Sequence, residues 1–161
     1  MGRLVSLKEL VSIRAALRGE GKRVVFTNGC FDIIHRGHIE YLAKAKALGD
    51  ALIVGVNSDE SVRRIKGERR PIIEEADRTY IVANLSPVDY VCMFGEDTPL
   101  GLISAIVPDV LVKGDDWKID DIVGKDVVEQ SGGRVATIDF VPNRSSSSII
   151  DRIVERFATR G

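Results

Sequence analysis

Short apolar runs alternate with longer helix-patterned segments along almost the whole sequence. The apolar runs fall at 23–27, 51–56, 88–93, 109–112 and 134–138. Helical patterns occupy 7–17, 37–48, 74–84, 99–106, 119–130 and 147–157, and a polar stretch, 57–70, has Lys66-Gly67 as a loop. A strand that is apolar throughout has no solvent-facing side, so its sheet must be covered on both faces. Strands alternating with helices meet that demand as a parallel sheet with crossover helices. The pattern therefore predicts an α/β fold with a doubly wound, five-stranded parallel sheet flanked by helices, built as one domain over 1–161. Such sheets bind ligands at the carboxyl ends of their strands.

Local signals agree. Ser6-Leu7-Lys8-Glu9 has capping-box spacing ahead of the first helix, and Gly19 and Gly21 end it. At 161 residues and 44% hydrophobic content, the chain can bury a core without disulfide or metal staples. A formal net charge of −1 gives no general attraction to nucleic acid or a membrane surface. Cys30 and Cys92 have no metal-ligand spacing and read as reduced thiols. Residues 1–10 carry no signal-type apolar stretch, and no run is long enough to span a bilayer, so the expected location is the cytoplasm.

Chemistry concentrates after the first apolar run, in Thr27-Asn28-Gly29-Cys30-Phe31-Asp32-Ile33-Ile34-His35-Arg36-Gly37-His38. This segment leaves a strand and opens a helix, whose free N–H groups and positive dipole end attract phosphate. The chain has two histidines, and both fall here, three residues apart and bracketing Gly37. At that spacing both imidazoles emerge on one side of a helical turn. Gly37 leaves room for a phosphate, and the imidazole N–H groups can hold charge that grows on phosphate oxygens during transfer. No third Cys or His is close by to complete a zinc site.

His35-Arg36-Gly37-His38 matches the HxGH signature of the nucleotidyltransferase superfamily, and Gly29-Cys30-Phe31-Asp32 its upstream GxFD element. With 56–72, 96–99, 108–117 and 145–150, the chain resembles the cytidylyltransferase-like branch, most closely the adenylyltransferases of ADP-heptose synthesis. The resemblance implies a Rossmann-like nucleotidyltransferase fold. It also implies transfer of AMP from ATP, with Mg²⁺, to a sugar 1-phosphate, D-glycero-β-D-manno-heptose 1-phosphate. It places His35, His38 and Lys66 in the catalytic role and Asn28, Gly29, Cys30, Phe31 and Gly37 around the nucleotide. Gly114, Asp115 and Asp116 fall beside the nucleotide as well, and Ser145, Ser146 and Ser147 at its β- and γ-phosphates. Asp32, Arg70 and Trp117 are carried as substrate-binding residues. Relatives commonly form homodimers, and a sugar kinase acting upstream is expected to be a separate protein.

The residues themselves leave other readings open. A lysine in a basic loop is ordinarily a solvated charge, a Gly-Asp-Asp turn an ordinary loop, and one serine suffices to cap a helix. Gly114-Asp115-Asp116-Trp117 is also similar to glycerol-3-phosphate cytidylyltransferases, which would use CTP. A relative of class I aminoacyl-tRNA synthetases would need a tRNA-binding region and a basic surface that the sequence lacks. A nucleotide-sensing module without catalysis is the remaining alternative.

Overall fold

The structure is a computed structural model that describes residues 1–139 and 144–158. In chain order its elements are β1 (Arg3–Leu4), α1 (Leu7–Gly19), β2 (Val24–Gly29), α2 (Arg36–Lys46), β3 (Ala51–Asn57), α3 (Asp59–Lys66) and α4 (Glu75–Ala83). There follow β4 (Tyr90–Phe94), α5 (Leu100–Ile106), β5 (Val110–Gly114), α6 (Lys125–Gln130), β6 (Arg134–Ile138) and α7 (Ser146–Phe157). A short 3₁₀ turn, Ile119–Asp121, precedes α6.

The strands form one parallel sheet in the order β1-β4-β3-β2-β5-β6. It has six strands rather than the expected five. The extra strand, β1, spans two residues, both exposed, so no periodicity could announce it. It pairs with β4 through Arg3↔Tyr90 and Leu4↔Val91 at the edge of the sheet. Two further boundaries differ. The polar stretch 57–70 contains α3, capped by Ser58, with Lys66 as its last residue. The weakly helical 119–130 is interrupted at Gly124, whose φ of 87° is left-handed.

Alternation along the strands divides the core. Val24, Phe26, Ile53 and Leu111 face one layer with α1, α5 and α6, while Val25, Leu52, Val54, Val110 and Val112 face the other with α2 and α4. This period of two is what an apolar strand covered on both sides requires. The chain runs outward from β2 through β3 to β4, then crosses back to place β5 on the other side of β2. The direction of winding therefore reverses between β2 and β5. Open α/β sheets form their crevice at such a point.

The two ends of the sheet differ. At the amino ends, Asp109 accepts a hydrogen bond from Val24 N at 2.7 Å and pairs with the buried Arg14 at 3.0 Å. At the carboxyl ends, the phosphate-type loop, the β5 turn and the start of α7 converge.

Candidate active site

The loop after β2 is shaped by side chains that pack back on the strand. Phe31 takes φ 48°, rare outside glycine, and is buried. Its ring lies where a Cβ on Gly29 would sit, 3.1 Å away, so Gly29 is fixed by packing. The same ring stands 5.4 Å from that of His38 and forms its wall.

His35 is the N-cap residue of α2, with no side-chain capping bond, so its imidazole is released from helix duty. Its ring stacks on His38 at 3.9 Å between centroids and 22° between planes. The Nδ1 atoms of both are buried without a hydrogen-bond partner among the described residues. A buried polar nitrogen without a partner costs about 1–3 kcal/mol, a cost that a ligand oxygen would remove. Burial, and secondarily the neighbouring His35, pushes His38 down to about 4. Burial and then Arg144 lower His35. The pair is therefore neutral at pH 7 in the free protein. Gly37 allows this stack: a Cβ there would meet the His35 ring at 3.0 Å and Arg144 Cβ at 3.3 Å. The space above Gly37, expected to admit a phosphate, is thus occupied by the histidine ring and Arg144.

α7 enters beside this loop, where Ser146 Oγ donates to the Ile33 carbonyl at 3.1 Å. Ser145 and Ser148 form a reciprocal capping box, with Ser148 N donating to Ser145 Oγ at 3.1 Å. The serine turn is thus a helix cap. Among the described residues it leaves the N–H groups of Ser146 and Ser147 and the Ser147 hydroxyl uncommitted. Between His35 and this turn lies a cleft of about 330 Å³, lined also by Arg36, Arg144 and Arg152. Asn143, the sequence neighbour of Arg144, lies outside the described residues. Arg152 escaped the sequence reading, although it stands four residues from Ser148 on one face of α7. A wider cleft of about 420 Å³ lies at the amino ends of β2, β5 and β6, lined by Arg18, Arg23 and Arg134. It contains neither histidine, and its Arg14 and Asp109 are spent on each other, so the smaller cleft is the site.

Asp32 turns inward. Its Oδ1 accepts from Ile72 N at 2.8 Å and Ile73 N at 2.9 Å, and its Oδ2 pairs with Arg70 Nε at 2.7 Å without an aligned hydrogen bond. Asp32 and Arg70 thus clip the 70–73 segment to the phosphate loop. Lys66, at the C-terminal end of α3, is exposed, with no hydrogen bond or ion pair among the described residues. It stays close enough to Cys30 to draw the thiol down against the larger, opposite effect of burial. Arg64 is occupied by Asp97 and Glu60.

Arg78 is fully buried and joins three segments. It donates to Cys30 O at 2.5 Å, to Ile73 O at 2.9 Å and to Asp59 Oδ1 at 2.7 Å. It holds the phosphate loop to α3 and α4, which no local pattern revealed. On the β5 side, Gly114 is buried and its carbonyl accepts from Trp117 N, while Asp115, Asp116 and Trp117 are exposed. Lys113 donates to Asn28 Oδ1, tying β5 to β2.

The chain is similar to known proteins over most of its length. The chain is 53% identical over 155 residues to the bifunctional protein HldE of Geobacter metallireducens, covering 96% of this chain and 32% of that protein. It is 54% identical over 148 residues to the HldE of Trichlorobacter lovleyi, covering 92% and 30%. The chain thus spans about a third of the length of these relatives. Among solved structures, a lipopolysaccharide core biosynthesis protein from Thermoplasma volcanium superposes with a TM-score of 0.62 at 32% identity, over 75% of this chain and 98% of that one. A pantoate-beta-alanine ligase from Francisella tularensis shares the fold, with a TM-score of 0.61 at 16% identity, over 96% and 78%. The model of the cytidylyltransferase-like family matches residues 26–152, from the centre of β2 into α7. That span holds every element of the site described above, and the chain belongs to the cytidylyltransferase-like family.

Proposed function

We propose that this chain transfers AMP from ATP to D-glycero-β-D-manno-heptose 1-phosphate, giving ADP-heptose and pyrophosphate. The observation that carries the reading is the stacked pair His35–His38 at the start of α2, its buried nitrogens without partners, beside the switch-point crevice. Identity above 50% to HldE proteins supports it, as does likeness to a protein named for lipopolysaccharide core synthesis.

In this reading an oxygen of the sugar phosphate attacks the α-phosphorus in line, and the bond to pyrophosphate breaks. The attacking oxygen is already anionic at pH 7, so no general base is required, and catalysis consists of positioning and charge stabilisation. Each neutral imidazole offers one N–H to the transferring group. Lys66 swings onto the phosphates as a mobile point charge. The departing pyrophosphate lies in the cleft between His35 and α7, near the uncommitted N–H groups of Ser146 and Ser147 and the guanidinium groups of Arg144 and Arg152. Asn28, Gly29, Cys30 and Phe31 line the nucleotide on the β2 side, and Gly114, Asp115 and Asp116 on the β5 side. Trp117 borders the acceptor.

In this reading Mg²⁺ bound with ATP would supply charge neutralisation to the leaving group. Among the described residues no cluster of three His, Cys, Asp or Glu could hold a metal ion. No described helix is long and apolar enough to cross a membrane. The reading places the chain in the cytoplasm as a homodimer, supplied with sugar 1-phosphate by an upstream kinase.

The deciding experiment measures pyrophosphate release over a grid of ATP and CTP against heptose 1-phosphate and glycerol 3-phosphate. Release confined to ATP with the heptose phosphate is expected. Preference for CTP with glycerol 3-phosphate would replace the substrate assignment, and no acceptor-dependent release at all would leave a nucleotide-sensing module.

A further inference from the structure

We propose that Lys113 is a phosphate ligand of this site, gripping from the β5 side a phosphate that His35 and His38 approach from the α2 side. The proposal rests on the nucleotidyl-transfer reading and adds a residue to it.

The first support is placement. β2 and β5 pair only at Val25↔Val110 and Phe26↔Leu111, yet β2 continues to Gly29 and β5 to Gly114. Their carboxyl ends therefore run on unpaired with each other, at the point where the winding reverses. The Lys113–Asn28 hydrogen bond spans this gap. By strand alternation Lys113 and Asn28 share the face of Leu111 and Phe26, so the ammonium group stands across the sheet edge from α2 and its histidines.

The second support is an incomplete charge balance. Lys113 is partly buried, and none of the ion pairs among the described residues includes it. Its neighbours at contact range are the neutral amide of Asn28 and the Trp117 ring, whose centroid lies 5.8 Å from Nζ. Asp116 acts on it only from a longer distance. A lysine kept for structure alone is ordinarily paired when buried, because an unpaired charge is costly away from water. Here a neutral acceptor and an aromatic face orient the cation and leave N–H donors for an anion. Burial lowers its pKa to about 8, so most of it is protonated at pH 7. Asn28 fixes the rotamer, which spares part of the ordering cost on binding.

The phosphate could be the α-phosphate of ATP or that of the acceptor, and two measurements separate them. The first is calorimetric binding of a non-hydrolysable α,β-methylene ATP to the whole chain and to Lys113→Met. The second is the KM for sugar 1-phosphate at saturating ATP. Methionine fills the volume of the lysine stem without its charge, so the melting temperature is expected to hold or rise. At least a tenfold loss of analogue affinity assigns Lys113 to the nucleotide phosphate. A tenfold rise in the acceptor KM with unchanged analogue affinity assigns it to the acceptor. Analogue affinity and acceptor KM both within twofold of wild type overturn the proposal. So does an equal loss for both ligands accompanied by a fall in melting temperature, which is the mark of a structural role. Lys113→Gln, which keeps a donor for Asn28, serves if the methionine variant does not fold, and is read by the same criteria. Failure of the transfer reading shows separately, in wild-type chain that releases no pyrophosphate.

Discussion

The histidine pair is where one side chain has most leverage. His38→Ala removes a donor aimed at the transferring phosphate, and such losses cost about 3 kcal/mol, or roughly a hundredfold in kcat. The variant should melt close to wild type, and near wild-type turnover in a folded variant would remove His38 from the mechanism. The same residue makes stability depend on pH. His38 titrates at about 4 in the folded protein against an ordinary 6.5, so between these values the unfolded chain binds the extra proton. Its contribution is complete above 6.5 and is lost as pH falls towards 4, and the lowered His35 acts in the same direction. Urea midpoints should therefore drop between pH 7 and pH 5.5, and drop less in His38→Gln; identical drops would contradict the assignment. The two histidines and Gly37 were legible because their spacing is local. The inward turn of Asp32 was not, since its partners Ile72, Ile73 and Arg70 lie some forty positions away and a lone aspartate carries no sign of them.

Among the elements, the loop between β2 and α2 depends on a residue of another helix. Arg78→Met would leave Asp59 and the Cys30 and Ile73 carbonyls without their buried donor. Breaking a buried pair of this kind costs about 3 kcal/mol, measurable as a lower urea midpoint. If the variant unfolds at the wild-type midpoint, Arg78 is not the brace described here. The long apolar strands were readable because every position along them is buried. α3 was not: its eight residues bury only Ser61 and Val62, so polarity hid the helix. β1 was hidden by its length alone. Of the serines at 145–148, two cap α7 and the Ser146 hydroxyl ties it to Ile33, a partner more than a hundred positions away that no local pattern announces.

Across the whole molecule, the sheet separates stability from chemistry by end. Asp109 and Arg14 close the amino ends, and the site occupies the carboxyl ends. Asp109→Ala strands the buried Arg14 and should lower the melting temperature by several degrees, while KM for ATP stays at its wild-type value below the transition. A changed KM would show that the two ends communicate. This polarity was legible from the alternation of strands and helices. The order of the strands, and with it the crevice between β2 and β5, follows from packing that no single segment encodes.

The edge strand has a practical consequence. Residue 1 is almost fully exposed beside β1, and β1 is separated from β2 by β4 and β3, whereas α7 begins inside the site. A fluorophore or surface tether attached at residue 1 should leave nucleotide affinity unchanged, which titration of the labelled chain would check. For immobilised or single-molecule work on this protein, position 1 at the β1 edge of the sheet is the handle.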